Sequence, residues 1–348
     1  MSAATAGGPV LVAMSGGVDS SVAAALLLED GHDVTGVTLR LWGGETDSGC
    51  CSVADVEDAR RVAAQLGIPH YVFNLAEEFE TAVVAPYVED HAAGRTPNPC
   101  VECNRSIKFG TLFARAEQLG FAAVATGHHA RVRRASDGSW QLLRGTDVAK
   151  DQSYVLYMLR QRQLERTLLP VGELTKADVR RRAVRLGLRT ADKAESMDVC
   201  FVRREDRLAF VDARSTPRPG NMVDTSGRVV ARHGGVSHFT IGQRRGLGVA
   251  FGEPRYVVDV EPVAATVTIG TRREMLRDEI EVRDLTWVRD AGYRSDVLEV
   301  QTRAHGACVP GRLVGTTVEL SEPVPRVAPG QVIALYDGPA LVGGGIAA

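Results

Sequence analysis

The sequence lacks any apolar run long enough to span a bilayer, and it contains no long repeat, coiled coil or low-complexity tract. Its first nine residues are small and uncharged, so they lack the basic segment and the apolar core of a signal peptide. These absences predict a cytoplasmic protein that needs no membrane. In that compartment the six cysteines are expected to be thiols, ligands or catalysts and not structural disulfides.

Lysine is also scarce, because only four of the 41 basic residues are lysine. The net charge of the 348 residues is −2, which taken alone argues against a nucleic-acid partner. The charges are unevenly distributed, however: residues 1–130 carry −9, residues 131–218 carry +8 and residues 219–348 carry −1. A basic region beside an acidic one favours a face that binds a polyanion, and a solvated arginine-rich surface is the alternative.

The stretch from Val10 to Ser21 has the pattern of a phosphate cradle: an apolar strand, a Ser-Gly-Gly turn at residues 15–17 and an Ala/Leu-rich helix. Glycines let the backbone approach an anion, and the N–H groups at the start of the helix point at it. The stretch lacks the lysine of a Gly-x-x-x-x-Gly-Lys-[Ser/Thr] loop, so no lysine of the loop neutralises a terminal phosphate.

Apolar strands alternate with helices as far as residue 130, which predicts an α/β fold with a doubly wound, Rossmann-like parallel sheet. Short strands and glycine turns from Met222 onward, among them Ser237 to Ile241, predict two small β domains. We therefore expect a nucleotide-binding and catalytic domain over 1–214, a central β domain over 215–275 and a C-terminal β-barrel over 276–348. The residues from Arg131 to Leu143 are expected to form a small hairpin.

Cys103 and Cys200 are the next candidates for chemistry. Cys103 directly precedes a predicted helix, whose dipole would lower the pKa of the thiol and favour the reactive thiolate. Cys200 lies about a hundred residues further on, so only the fold can bring the two together. For either cysteine alone, a small buried hydrophobic residue is the alternative. Cys308 is expected to serve packing, and Cys50 and Cys51 to be loop thiols.

Several short motifs occur in one order between Val10 and Ile346. Besides the Ser-Gly-Gly turn they are Gly94-Arg-Thr-Pro-Asn98-Pro99, Cys103-Asn104, Ala125-Thr-Gly-His128, Lys150-Asp151-Gln152, Val199-Cys200-Phe201, Thr240-Ile-Gly-Gln243-Arg-Arg-Gly-Leu-Gly248 and Pro329-Gly-Gln331. In this order the chain resembles the bacterial tRNA-specific 2-thiouridylases, which are PP-loop ATP pyrophosphatases. The resemblance covers essentially the whole chain.

The resemblance implies an ATP site, a sulfur-transfer reaction and a tRNA substrate. ATP, expected with Mg²⁺, would be bound by Ala13, Met14, Ser15, Gly16, Gly17, Val18, Asp19, Ser20, Leu39 and Gly127. The 2-oxygen of the wobble uracil would be adenylated, and Cys200 would carry a persulfide from a cysteine desulfurase or a sulfur-relay protein. Cys103 would then release the sulfur and form a disulfide with Cys200. The tRNA would contact Asn98, Pro99, Cys100, His128, Lys150, Asp151, Gln152 and Gln331.

One residue departs from the family pattern, because many members have an aspartate where this chain has Cys100. Cys100, Cys103 and Cys200 could instead be the three ligands of a [4Fe–4S] cluster with one open iron. Two further alternatives stay open: another AMP-forming PP-loop ligase, which needs no cysteine pair, and an iron–sulfur or zinc protein that binds nucleic acid without catalysis. Asp19 could face the metal ion or cap the start of the helix.

Overall fold

The computed structural model describes residues 8–42, 52–194, 199–289 and 297–348. Cys50, Cys51 and residues 196–198, which lead up to Cys200, lie outside these ranges. Within the ranges, no helix combines the length and the apolar character that a membrane crossing requires.

The N-terminal region is built on a parallel sheet. The strands of the whole N-terminal region are β1 (Pro9–Ala13), β2 (Asp33–Arg40), β3 (His70–Asn74), β4 (Ala123–Ala125), β5 (Ala130–Arg134), β6 (Trp140–Arg144) and β7 (Thr167–Leu168). Five of these strands form one sheet in the order β3-β2-β1-β4-β7, and all neighbours in it are parallel. The predicted α/β fold is confirmed.

Helices cover both faces of this sheet. They are α1 (Val18–Glu29), α2 (Val53–Leu66), α3 (Ala76–Phe79), α4 (Ala85–Ala92), α5 (Pro99–Glu102), α6 (Leu112–Gln118), α7 (Gln161–Glu165) and α8 (Lys176–Arg185). Val10 and Val12 of β1 pack with α1, α2 and α8, whereas Leu11 packs with residues of α3, α4 and α6. Because β1 is buried on both faces, its sequence is apolar without alternation.

Two π-helical segments interrupt the helices on one face. Residues Glu80–Val84 join α3 to α4, and residues Cys103–Thr111 join α5 to α6. Asn98 caps α5, since its side-chain oxygen accepts hydrogen bonds from the backbone N–H groups of Cys100 and Val101. A π-helical turn is uncommon and occurs often at functional sites, which draws attention to Cys103 at its first position.

The central region follows helix α9 (Arg207–Asp212). It contains β8 (Gly220–Asp224), β9 (Val229–His233), β10 (Tyr256–Glu261) and β11 (Thr266–Gly270), ordered β10-β11-β8-β9 in one sheet. The prediction of a strand from Ser237 to Ile241 is wrong, because Val236–His238 form a 3₁₀ turn. Val236 and Phe239 are three residues apart, and the turn lets both enter the same small core.

The C-terminal region is a closed barrel. Its strands are β12 (Leu276–Trp287), β13 (Leu298–Gln301), β14 (Val309–Val314), β15 (Thr317–Pro325), β16 (Val332–Asp337) and β17 (Ala340–Ala347). They follow the order β12-β15-β14-β13-β16-β17, and pairing of β12 with β17 closes the ring. The predicted hairpin is present as β5 and β6, and β6 pairs with β17, so a piece of the N-terminal region continues the barrel sheet.

The close approach of the end of β4 to α1 generates a prediction for Gly127. A Cβ atom at this position would lie 2.6 Å from the backbone nitrogen of Ser20 and 2.8 Å from the carbonyl carbon of Asp19. Gly127→Ala should therefore displace the start of α1 and lower the melting temperature by several degrees, since overpacking costs about 1–3 kcal/mol. Gly252→Ala is the matched control, because its Cβ would meet nothing within 4 Å. Equal melting temperatures for both variants, followed by circular dichroism, would contradict this expectation.

Candidate active site

The Ser-Gly-Gly turn lies between β1 and α1, at the carboxyl edge of the parallel sheet. Gly16 has a φ of +70°, and a Cβ there would collide with the backbone carbonyl of Asp55, so only glycine fits. The N–H of Ser15 donates to Ser20 Oγ (3.1 Å), and the Ser21 hydroxyl donates to the Gly17 carbonyl (2.8 Å). Gly17 precedes α1 and has no side chain to cap it, so the first N–H groups of α1 can bind an anion.

Asp19, in the first turn of α1, forms an ion pair with a distant lysine. Lys176 Nζ lies 2.8 Å and 2.6 Å from the two carboxylate oxygens, and His129 Nε2 lies 3.1 Å from Oδ1. Burial would raise the pKa of the Asp19 carboxyl, but the hydrogen bonds from His129 and Lys176 outweigh burial and hold the pKa below its ordinary value. Asp19 is therefore ionised, and Lys176 balances its charge beside the turn.

Lys193 reaches the same turn from another segment. Its Nζ donates to the Gly16 carbonyl (3.0 Å) and pairs with Asp55 and Asp58, each at 2.7 Å. Sequence reasoning missed both Lys176 and Lys193, because neither lies in the loop motif. The one signal that could have pointed to them is that three of only four lysines in an arginine-rich chain, Lys150, Lys176 and Lys193, stand in the basic region after residue 131.

The end of β4 meets the start of α1. Gly127 lies against the backbone of Asp19 and Ser20, because a Cβ atom added to it would come within 2.8 Å of both. Leu39 lies near the carboxyl end of the neighbouring strand β2, at the same edge of the sheet. The structure thus brings the predicted nucleotide residues, from Ala13 to Ser20 with Leu39 and Gly127, to one edge. Their contacts with ATP stay a prediction.

His128 is buried and uncharged in this setting. Burial, with Lys108 and His129 nearby, holds the pKa of His128 well below its ordinary value. Its Nδ1 lies 2.7 Å from the Thr126 hydroxyl. A neutral imidazole at this strand end can donate or accept one hydrogen bond, and its contact with tRNA stays a prediction.

Cys103 and Cys200 pack against one apolar core. Cys103 is 7% exposed and belongs to the core that contains Leu11 of β1, and the half-buried Cys200 packs against this core. Phe201 anchors the segment after Cys200, because its ring packs among those of Trp42, Phe79, Tyr87 and Phe210. The fold therefore places both cysteines against one core, and their reaction with each other stays a prediction.

The three candidate cluster ligands are differently placed. Cys100 is exposed in α5, whereas Cys103 is buried and Cys200 is intermediate. Among the described residues, no group of three or more His, Cys, Asp or Glu side chains could hold a metal ion. In the described part of the chain the three cysteines therefore do not form a ligand set that fits a [4Fe–4S] cluster. None of the described cysteines is in a disulfide.

The remaining predicted tRNA residues lie in two places. Asn98, Pro99 and Cys100 follow a loop that the barrel holds, since Gln331 Nε2 donates to the Thr96 carbonyl (2.5 Å). The Lys150-Asp151-Gln152 turn lies after the hairpin of β5 and β6. Gln152 is exposed, but Asp151 is only 6% exposed. The contacts of these residues with tRNA stay predictions.

Comparison with known proteins covers nearly the whole chain. Three family models match: a tRNA methyl transferase HUP domain at residues 8–204, a tRNA methyl transferase PRC-barrel domain at 208–271 and an aminomethyltransferase β-barrel domain at 277–347. The tRNA-specific 2-thiouridylase MnmA of Chloroflexus aurantiacus is 48% identical and covers 97% of both chains. The protein of the same name from Geobacter metallireducens is 44% identical and covers 97% of this chain and 95% of its own.

Solved structures are more distant. The U34-tRNA thiolase NcsA from Methanococcus maripaludis with its [4Fe-4S] cluster has a TM-score of 0.37 and 17% identity, and the match covers 59% of this chain and 63% of that one. The family is shown by the two sequence relatives, whose matches cover the nucleotide turn, both cysteines and the barrel. The chain belongs to the family of the tRNA-specific 2-thiouridylases.

Proposed function

We propose that the protein catalyses the ATP-dependent 2-thiolation of the wobble uridine in tRNA, through an adenylated uracil and a persulfide on Cys200. The observation that carries the proposal is the packing of Cys103 and Cys200 against the core formed by β1, the strand that leads into the nucleotide turn. The relatives named 2-thiouridylases support the substrate and the reaction. The reaction takes place in the cytoplasm, where we place the protein.

Adenylation turns the 2-oxygen of the uracil into part of a good leaving group. The 2-oxygen attacks the α-phosphorus of ATP, and pyrophosphate leaves. The N–H groups at the start of α1 and the Lys176 and Lys193 ammonium groups lie where they can stabilise the negative charge of the phosphates. Asp19 is the carboxylate that would face the Mg²⁺ that accompanies ATP, and the ion would supply positive charge at the phosphates.

Sulfur transfer then uses both cysteines. The terminal sulfur of the Cys200 persulfide attacks C2 of the uracil, and AMP leaves with the original oxygen. The Cys103 thiolate attacks Cys200 Sγ, so that the bond between the two persulfide sulfurs breaks and the sulfur stays on the base. The cysteines end as a disulfide, which a cellular thiol must reduce, and a cysteine desulfurase or sulfur-relay protein restores the persulfide.

The base has to leave its stack to reach these groups. Sequence-specific recognition of RNA commonly targets bases splayed out of single-stranded loops, and an anticodon loop is such a target. We propose that the loop at Asn98 and Pro99, with Cys100 and Gln331, and the side chains of His128, Lys150 and Gln152 contact the tRNA. The basic residues between 131 and 218 would bind its phosphates.

The first prediction separates activation from sulfur transfer. Cys200→Ser and Cys103→Ser should each lower the formation of 2-thiouridine by about 10³-fold or more, as loss of a nucleophile does. Both should still release pyrophosphate from ATP in the presence of unmodified tRNA, because neither thiol is used in that step. Nucleoside analysis and pyrophosphate release measure the two steps. Cys308→Ser is the control, and full thiolation by either of the other variants would contradict the persulfide route.

The second prediction concerns iron. Protein purified without oxygen should contain no stoichiometric iron or acid-labile sulfide, and the iron-free protein should thiolate tRNA when given a persulfide donor. Cys100→Ser should keep most of the activity, because the persulfide route needs only Cys103 and Cys200. Iron bound at about four per chain, together with loss of activity in Cys100→Ser, would establish the cluster route instead.

The third prediction concerns Lys176. Lys176→Met leaves the Asp19 carboxylate unbalanced beside the phosphate site, so the Kd for ATP should rise about tenfold or more. Adding Asp19→Asn to this variant should recover part of the affinity if charge balance is the cause. Arg185→Met, on an exposed position of the same helix α8, is the matched control. Calorimetry with ATP alone measures all three, and an unchanged Kd in Lys176→Met would refute the role.

A further inference from the structure

Asp151 is buried and fully engaged within the protein. Its Oδ1 accepts hydrogen bonds from the N–H groups of Gly145 (2.9 Å) and Ser153 (3.0 Å). Its Oδ2 accepts from the Ser153 hydroxyl (2.9 Å) and from Arg144 Nη1 (3.2 Å). Asp151 is 6% exposed, and its carboxylate already accepts four hydrogen bonds, so it has little capacity to accept another from an RNA. Its negative charge would also repel a phosphate.

The counter-charge of Asp151 lies at the barrel. Arg144 ends β6, and its guanidinium donates to Gln301 Oε1 (2.8 Å) and to Cys308 Sγ (2.9 Å). The same group stacks on the ring of Tyr336, 3.5 Å from its centroid. The Tyr336 hydroxyl in turn lies 2.9 Å from Ser153 Oγ. Asp151 and Arg144 thus join the Lys150–Ser153 turn to three residues of the barrel region.

The next residue connects this turn to the nucleotide edge. Gln152 donates its backbone N–H to the His129 carbonyl (2.9 Å), and its side-chain Oε1 accepts the His129 N–H (3.0 Å). His129 Nε2 lies 3.1 Å from Asp19 Oδ1 in the first turn of α1. Contacts therefore run without a gap from the barrel through Arg144, Asp151, Gln152 and His129 to Asp19.

We infer that Asp151 is a positioning residue that fixes Gln152 against His129 and so ties the barrel to the start of the nucleotide-binding helix. This inference rests on the proposed function, because it takes ATP to be the nucleotide that binds at α1. Loss of the carboxylate leaves the part-buried Arg144 guanidinium, whose side chain is 19% exposed, without its charge partner, so the turn moves to relieve it. The displaced turn no longer holds His129, and Asp19 loses one of its two partners.

The test measures ATP binding to the full-length protein in the absence of tRNA, by calorimetry at a temperature well below unfolding. Asp151→Asn and Gln152→Ala should each raise the Kd for ATP about tenfold. Gln152→Glu, which keeps the oxygen that accepts the His129 N–H, should bind ATP within about threefold of the unaltered protein. Val148→Ala, on a 77% exposed side chain beside the same turn, is the matched control and should change nothing.

Two results would overturn the inference. If Asp151→Asn binds ATP normally and loses only tRNA affinity, Asp151 is a tRNA contact. If its melting temperature falls while the Kd for ATP stays the same, its role is structural only. Because Gln152 is exposed, Gln152→Ala keeps the test valid even where Asp151→Asn folds poorly. Nucleoside analysis for 2-thiouridine is done separately, so failure of the proposed function is distinguishable from failure of this inference.

Discussion

The parallel pairing of β1 with β2 on one side and β4 on the other is the constraint on which the candidate site depends. Parallel strands end at the same edge, so the Ser-Gly-Gly turn and the Gly127–His129 segment must meet there. Gly127 then lies so close to the first turn of α1 that no side chain fits between them. The burial of β1 on both faces holds this arrangement in place, since helices pack on either side of it.

Charge at that edge is balanced by residues from distant parts of the chain. Asp19 pairs with Lys176, and Asp55 and Asp58 pair with Lys193. A lysine ammonium is a compact point charge on a flexible stem, which suits exchange between a carboxylate and a phosphate better than the rigid fork of arginine. Two of the four lysines stand here, in a chain where 37 basic residues are arginine.

Sequence reasoning predicted the parts of the site that depend on local pattern. The alternation of apolar strands and helices predicted the parallel sheet, and the glycine turn predicted the nucleotide edge. Lys176 and Lys193 were missed because their partners lie 157 and 138 residues away, and no spacing rule reaches that far. The burial of Asp151 could not be predicted either, because it depends on Arg144 meeting the barrel region. At Ser237 to Ile241, apolar residues were interpreted as a strand, but their packing three residues apart required a turn.

The continuation of the barrel sheet into β6 and β5 has a consequence for how the chain can be divided. A fragment that ends near residue 214 would leave β6 with an unpaired edge where β17 lies in the full protein. Leu142 and Leu143, which pair with Leu341 and Ala340 of β17, would lie at that edge, and an unpaired strand edge is a template for pairing with other chains. A division of the chain at residue 214 therefore cuts through one continuous sheet.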